Sequence, residues 1–92
     1  MVLQMIKRIE RKVVVKNKQG LHARPAALFV QIANKYDATI KVQKEDQLVN
    51  GKSIMGILML AAERYSEVML IAEGVDSDEA VNELEMLLLS DE

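Results

Sequence analysis

The apolar residues of this chain change their period twice, and that alternation limits the folds open to it. Residues 11–20, RKVVVKNKQG, form a β-branched run that ends in a turn at Gly20. Pro25, Leu28, Phe29, Ile32, Ala33 and Tyr36 then follow the i, i+3, i+4, i+7, i+8, i+11 series, one apolar stripe on a helix of about three turns. YDATIKVQK returns to a period of two, with Ile40 and Val42 on one side and Lys41 and Gln43 on the other. KEDQ makes a hairpin turn and QLVN a short returning strand. The second half repeats the scheme. GKSIMGILMLAAERY has a helical pattern with Ser53 placed to cap it, and EVMLIAE is a strand by composition. GVDSDEA opens a last helix, with Asp76 and Glu79 at capping-box spacing. Ala80, Val81, Leu84, Leu87 and Leu88 form its buried stripe.

The element order is therefore β-α-β-β-α-β-α: two strand–helix–strand units in tandem with a terminal helix. Four strands whose helices must cover one face make an α+β, two-layer open-faced sandwich. Residues 1–92 are expected to form a single domain, with residues 1–9 as a loose N-terminal extension.

Composition removes several kinds of chemistry. The chain has no cysteine and one histidine, so a disulfide framework, a thiolate nucleophile, a zinc ribbon and a multi-histidine metal site are all excluded. No metal or cofactor is expected. A net charge of -2 gives no general reason to bind nucleic acid. The charge is nevertheless polarised: Lys7, Arg8, Arg11, Lys12, Lys16 and Lys18 crowd the first strand region, and every charge from Glu73 onward is negative. Pairing between the two ends and a basic surface that attracts an acidic partner are both open readings. No run approaches the ~20 apolar residues of a membrane span. MVLQMI is too short for a secretory core and precedes the basic residues that should come before such a core. The expectation is a soluble cytoplasmic protein.

The chemistry that remains is concentrated in GLHARPA. Proline is favoured in the first helical turn, so Pro25 fixes a helix start beside His22. Backbone N–H groups at that start attract an anion, and the same field favours the neutral, nucleophilic imidazole. Arg24 offers a planar fork of donors suited to phosphate oxygens. Three readings fit: a phosphoryl carrier with the group on a histidine nitrogen, an anion cradle without transfer, and an ordinary polar cap. The segment lacks the Gly-Lys-Ser/Thr end of a nucleotide-gripping loop and has no nearby acid to orient a triad. In NGKSIMGILMLAA, Ser53 is an ordinary cap. If it were phosphorylated, about two negative charges would sit at a helix N-terminus, where they are tolerated. Some of Ile54, Met55, Leu58 and Met59 should be exposed, either as a docking surface or as a wider contact with the last helix.

GLHARPA and KSIMGI, at this separation and in this element order, resemble the active-site and regulatory-serine signatures of HPr. HPr is the histidine-containing phosphocarrier family of the bacterial phosphoenolpyruvate-dependent phosphotransferase system. The resemblance covers roughly residues 10–90 and implies a four-stranded antiparallel sheet under three helices. It also implies that His22 accepts a phosphoryl group on Nδ1 from enzyme I, assisted by Arg24, and passes it to EIIA domains of sugar permeases. Ser53 matches the serine modified by HPr kinase/phosphorylase, whose product serves in some bacteria as corepressor for a catabolite-control transcription factor. Ile54, Met55 and Leu58 match the family's docking surface. Such a protein is a carrier rather than a stand-alone enzyme. Two alternatives share the chain: a carrier of the nitrogen-related branch with regulatory targets, and a non-catalytic module gated by phosphoserine. Two positions depart from the family pattern. Gln19 stands where many members have Asn or Ser able to cap locally. Tyr65 stands where members usually have Gly, so the second helix should end differently or run on.

Overall fold

In the computed structural model, which describes residues 7–90, the alternating runs become the strands of one sheet. The elements are β1 (Arg8–Val14), α1 (Ala23–Ala33), β2 (Thr39–Lys44), β3 (Gln47–Asn50), α2 (Ile54–Leu60), β4 (Glu67–Glu73) and α3 (Ser77–Leu89). The strands lie in the order β1-β4-β2-β3, and every neighbouring pair is antiparallel. This order explains how two tandem units make one sheet. β1 and β2 both run antiparallel to β4, so they are parallel to each other with one strand's width between them, and β4 fills that gap. Likewise β2 fills the gap between β3 and β4. Each unit closes the other.

Register puts one set of side chains under the helices. Val13 opposes Val68, and Val42 opposes Leu70, while Ile40 opposes Ala72. All of these are buried with Phe29 of α1, Ile57 and Leu60 of α2, and Val81, Leu84 and Leu88 of α3. Phe29, the single phenylalanine, is wholly inaccessible; burying such a side chain contributes about 2–3 kcal/mol. Leu28 departs from the expected stripe. The face of α1 that meets the core is centred on Pro25, Ala26, Phe29 and Ala33, so Leu28 falls at its edge and is exposed.

The strand begins earlier than expected. Arg8 and Ile9 pair with Glu73 and Ala72, and the Gly74 N–H donates to the Lys7 carbonyl at 2.9 Å. Residues 7–9 of the expected loose extension thus belong to the sheet or border it; residues 1–6 lie outside the described residues. The polarised charges pair as the end-to-end reading requires, through Lys7–Asp78 at 2.6 Å, Arg8–Glu73 at 3.0 Å and Arg11–Glu85 at 2.9 Å. Exposed pairs of this kind add little stability. A further tie joins the turn after α1 to α3. The Lys35 ammonium and then the Tyr36 hydroxyl hold the Glu83 carboxyl below its usual range, and the bond to Glu83 pushes Tyr36 up to about 12.

Two helix ends differ from the sequence pattern. The capping box at Asp76 does not form: Asp76 makes no side-chain cap bond. Its carboxylate instead accepts the Asp37 and Ala38 N–H groups at 2.8 and 2.9 Å, which lowers its pKa. α2 starts after the Ser53 cap as expected but ends at Leu60 rather than near Tyr65, because Ala61 turns left-handed (φ 50, ψ 40) and closes the helix. Tyr65 is also left-handed (φ 75), with its N–H donating to the Val15 carbonyl at 2.6 Å. Such a conformation costs a side-chain-bearing residue about 1–2 kcal/mol. The chain therefore keeps the turn geometry that glycine would favour and bears the strain.

Candidate functional site

The segment that carries His22 is tied down at both ends before α1 begins. After β1, the Lys16 and Asn17 N–H groups donate to the Leu88 carbonyl near the end of α3, at 2.8 and 3.2 Å. Asn17 is buried, and its Oδ1 accepts the Gln19 N–H at 3.0 Å while its carbonyl accepts the Gly20 N–H, also at 3.0 Å. Asn17 thus closes the turn that carries Gln19 and Gly20. Gly20 has φ 65, and a Cβ there would lie 2.6 Å from the Ala62 carbonyl oxygen and 2.9 Å from the Glu63 Cα. Both its conformation and its close approach require glycine. The Leu21 N–H then donates to that same Ala62 oxygen at 2.8 Å, and the Leu21 side chain is buried. The loop following α2 is thus the floor on which the His22 segment rests.

His22 is the N-cap of α1, with extended backbone (φ −83, ψ −166), and its carbonyl accepts the Ala26 N–H at 2.8 Å. Its imidazole makes no capping bond and is exposed. The cap reading therefore does not describe what this side chain does. The amides of Ala23 and Arg24 precede the first helical hydrogen bond and Pro25 has no N–H, so two backbone donors at the helix start have no intrahelical partner. A shallow depression of about 220 Å³ is lined by Leu21, His22, Ala23, Leu58, Ala61 and Glu63. Arg24 borders a second depression, with Asn17, Gln19, Pro25, Leu28, Leu87 and Ser90. The two residues stand two positions apart at the start of α1 and border different depressions. Glu63 is the residue that sequence reasoning missed, 41 positions from His22 and brought there only by the loop after α2.

Ser53 caps α2 as its position suggested, its Oγ accepting the Gly56 N–H at 3.1 Å. α2 packs on α1, β2 and β3 through buried Ile57 and Leu60. Its other side stays in solvent: Ile54 and Leu58 are 38% exposed, Met55 and Met59 64%. Leu58 also lines the His22 depression, so the apolar patch of α2 and the imidazole form one continuous surface. Among the described residues, no group of acidic or histidine side chains is arranged to hold a metal ion, and no helix is long and apolar enough to cross a membrane.

Comparison with known proteins decides the family. The model of a family described as "PTS HPr component phosphorylation site" matches residues 9–90. The chain belongs to the HPr family. Among curated HPr relatives, the HPr-like protein Crh of Bacillus subtilis is 49% identical over 76 residues, covering 83% of this chain and 89% of its own. The phosphocarrier protein HPr of Treponema pallidum is 43% identical over 79 residues, covering 86% and 90%. The crystal structure of a phosphocarrier protein HPr from Bacillus anthracis superposes with a TM-score of 0.86 at 44% identity, covering 88% of this chain and 96% of that one. The HPr fold accounts for the sheet order and the three helices, and the antiparallel sandwich expected from the resemblance is the one observed.

Proposed function

We propose that this chain, acting in the cytoplasm, relays a phosphoryl group from enzyme I to EIIA domains of sugar permeases through a phosphohistidine at His22. One observation carries the reading: the exposed imidazole stands at a helix N-terminus, unengaged as a cap, and adjoins the apolar patch of α2. In the uptake step, Nδ1 of His22 supplies the electron pair of the new N–P bond while the bond from phosphorus to the donor breaks. The phosphoryl group alone moves, and no water, nucleotide or oxidant is consumed. The Ala23 and Arg24 amides receive the phosphoryl oxygens, and the Arg24 guanidinium joins them. Such a transfer depends on positioning and charge stabilisation, which a partner's residues can complete across a docked interface. Ile54, Met55 and Leu58 provide that interface, their flexible apolar side chains suiting more than one partner.

Which branch the carrier serves is tested by supplying phosphoenolpyruvate with enzyme I of the sugar branch or of the nitrogen branch, side by side. The sugar-branch enzyme is expected to label the chain at least tenfold faster. Faster labelling by the nitrogen-branch enzyme would move the output from sugar uptake to regulation.

A regulatory role is favoured by a separate observation, the half-buried Ser53 hydroxyl at the start of the docking helix. Incubation with HPr kinase/phosphorylase and ATP is expected to add one acid-stable phosphate, absent in Ser53→Ala. A chain left unmodified removes this role, and with it the proposed corepressor contact with a catabolite-control transcription factor. Because a phosphate at this helix start is compatible with the fold, modification should act on partners rather than on stability. Ser53→Ala itself should cost about 1 kcal/mol through the lost cap.

A further inference from the structure

We propose that Glu63 opposes the phosphoryl group on His22 electrostatically and so sets how readily that group is passed on; the proposal rests on the carrier reading above. Glu63 lines the same depression as His22. Its backbone is fixed there independently of its side chain. The preceding carbonyl, that of Ala62, accepts the Leu21 N–H, and the Glu63 Cα lies so close to Gly20 that a Cβ on that residue would stand 2.9 Å from it. The Glu63 carbonyl accepts the Ser66 N–H at 3.0 Å. On either side, Ala61 and Tyr65 hold left-handed conformations that side-chain-bearing residues avoid, so strain is retained in the segment that presents this carboxylate.

Glu63 enters none of the ion pairs among the described residues. Its neighbour Arg64 is turned onto the Tyr65 ring, 4.7 Å from the centroid; Arg64 and Lys44 border, with Glu63, a separate depression that His22 does not line. Phosphorylation would place about two negative charges on the ring. A carboxylate in the same depression raises the free energy of that state by Coulomb repulsion and leaves the unphosphorylated state nearly untouched. The phosphoryl group is therefore less stable on His22 than it would be beside a neutral residue, and its transfer onward is favoured.

The measurement is an equilibrium, so that docking rates do not enter. With a catalytic amount of enzyme I, the P–O bond of phosphoenolpyruvate breaks, the N–P bond to His22 forms, and the enolate takes up a proton to give pyruvate. The phosphorylated fraction of the full chain is read at fixed pyruvate-to-phosphoenolpyruvate ratios. Glu63→Gln is expected to raise the equilibrium constant for phosphorylation roughly fivefold at low ionic strength and less than about twofold in ~0.5 M salt. Glu63→Asp, which keeps the charge, should stay within about twofold of the unaltered chain. Equal constants for the unaltered chain and Glu63→Gln at low salt, or an increase that salt does not diminish, would overturn the role of Glu63 while leaving His22 as the carrier. An unaltered chain that takes up no phosphate would overturn both.

Discussion

Gly20→Ala is expected to lower the unfolding free energy by about 3 kcal/mol and to slow phosphoryl uptake roughly tenfold to a hundredfold. Two costs add. Alanine at φ 65 bears about 1–2 kcal/mol of backbone strain, as Ala61 and Tyr65 already do. Its Cβ would also stand 2.6 Å from the Ala62 oxygen and 2.9 Å from the Glu63 Cα, both backbone atoms that cannot swing aside as a flexible side chain would. Relief requires the two loops to part, which breaks the Leu21-to-Ala62 hydrogen bond and moves His22 relative to Leu58 and the docking helix. Urea unfolding measures the first effect and initial rates of labelling the second. Gly20→Asn separates the causes: asparagine tolerates positive φ but brings the same Cβ. If the collision dominates, Asn rescues little; full rescue would mean that conformation alone had required glycine.

His22→Ala is expected to abolish uptake from phosphoenolpyruvate and enzyme I while changing stability by less than about 0.5 kcal/mol. The separation is possible because the imidazole is exposed and makes no capping bond, so its removal leaves no buried group unsatisfied. Arg24→Ala should behave differently, reducing the rate of uptake without eliminating it. The two backbone amides at the helix start remain in that variant, and one lost charge-assisted contact costs about 10²-fold or less. Labelling that survives in His22→Ala would show that phosphate rests elsewhere. A large fall in stability would show that the side chain serves the fold.

The strands and the helix order were legible because alternation and β-branching record which face of a sheet is buried. Ile40 and Val42 point where the alternation places them, into the core, where Val13, Val68 and Leu70 join them. Ser53 was legible as a cap for a similar reason, since its partner lies three residues away. What the pattern could not show depends on groups far apart in the chain. Ala61 and Ala62 are good helix formers and extend the apparent helix to Tyr65. The observed end at Leu60 coincides with the use of the Ala62 carbonyl by Leu21 and the close approach of Gly20. Asp76 has the spacing of a capping box, yet two amides from the segment before β2 compete for its carboxylate and hold it. Leu28 fits the helical period but lies beyond the width of the groove that α1 fills.

The candidate site divides in the same way. GLHARPA announces a helix start with an imidazole beside it, and the structure places His22 at the N-cap. The grouping of His22 and Arg24 as one side-chain cluster came from their nearness in sequence. His22 is the N-cap and Arg24 lies in the first turn of α1, and the two border different depressions. The company His22 does keep, Leu58, Ala61 and Glu63, is assembled by the loop after α2 and has no local signature.

The claim on which everything else depends is that the phosphoryl group resides on His22. It is tested most directly by phosphorus and nitrogen NMR of the full chain, labelled with phosphoenolpyruvate and a catalytic amount of enzyme I. The account predicts one acid-labile phosphoryl group, bonded to Nδ1 of His22, with Ser53 unmodified. A phosphoryl group on any other residue, or none at all, would contradict it.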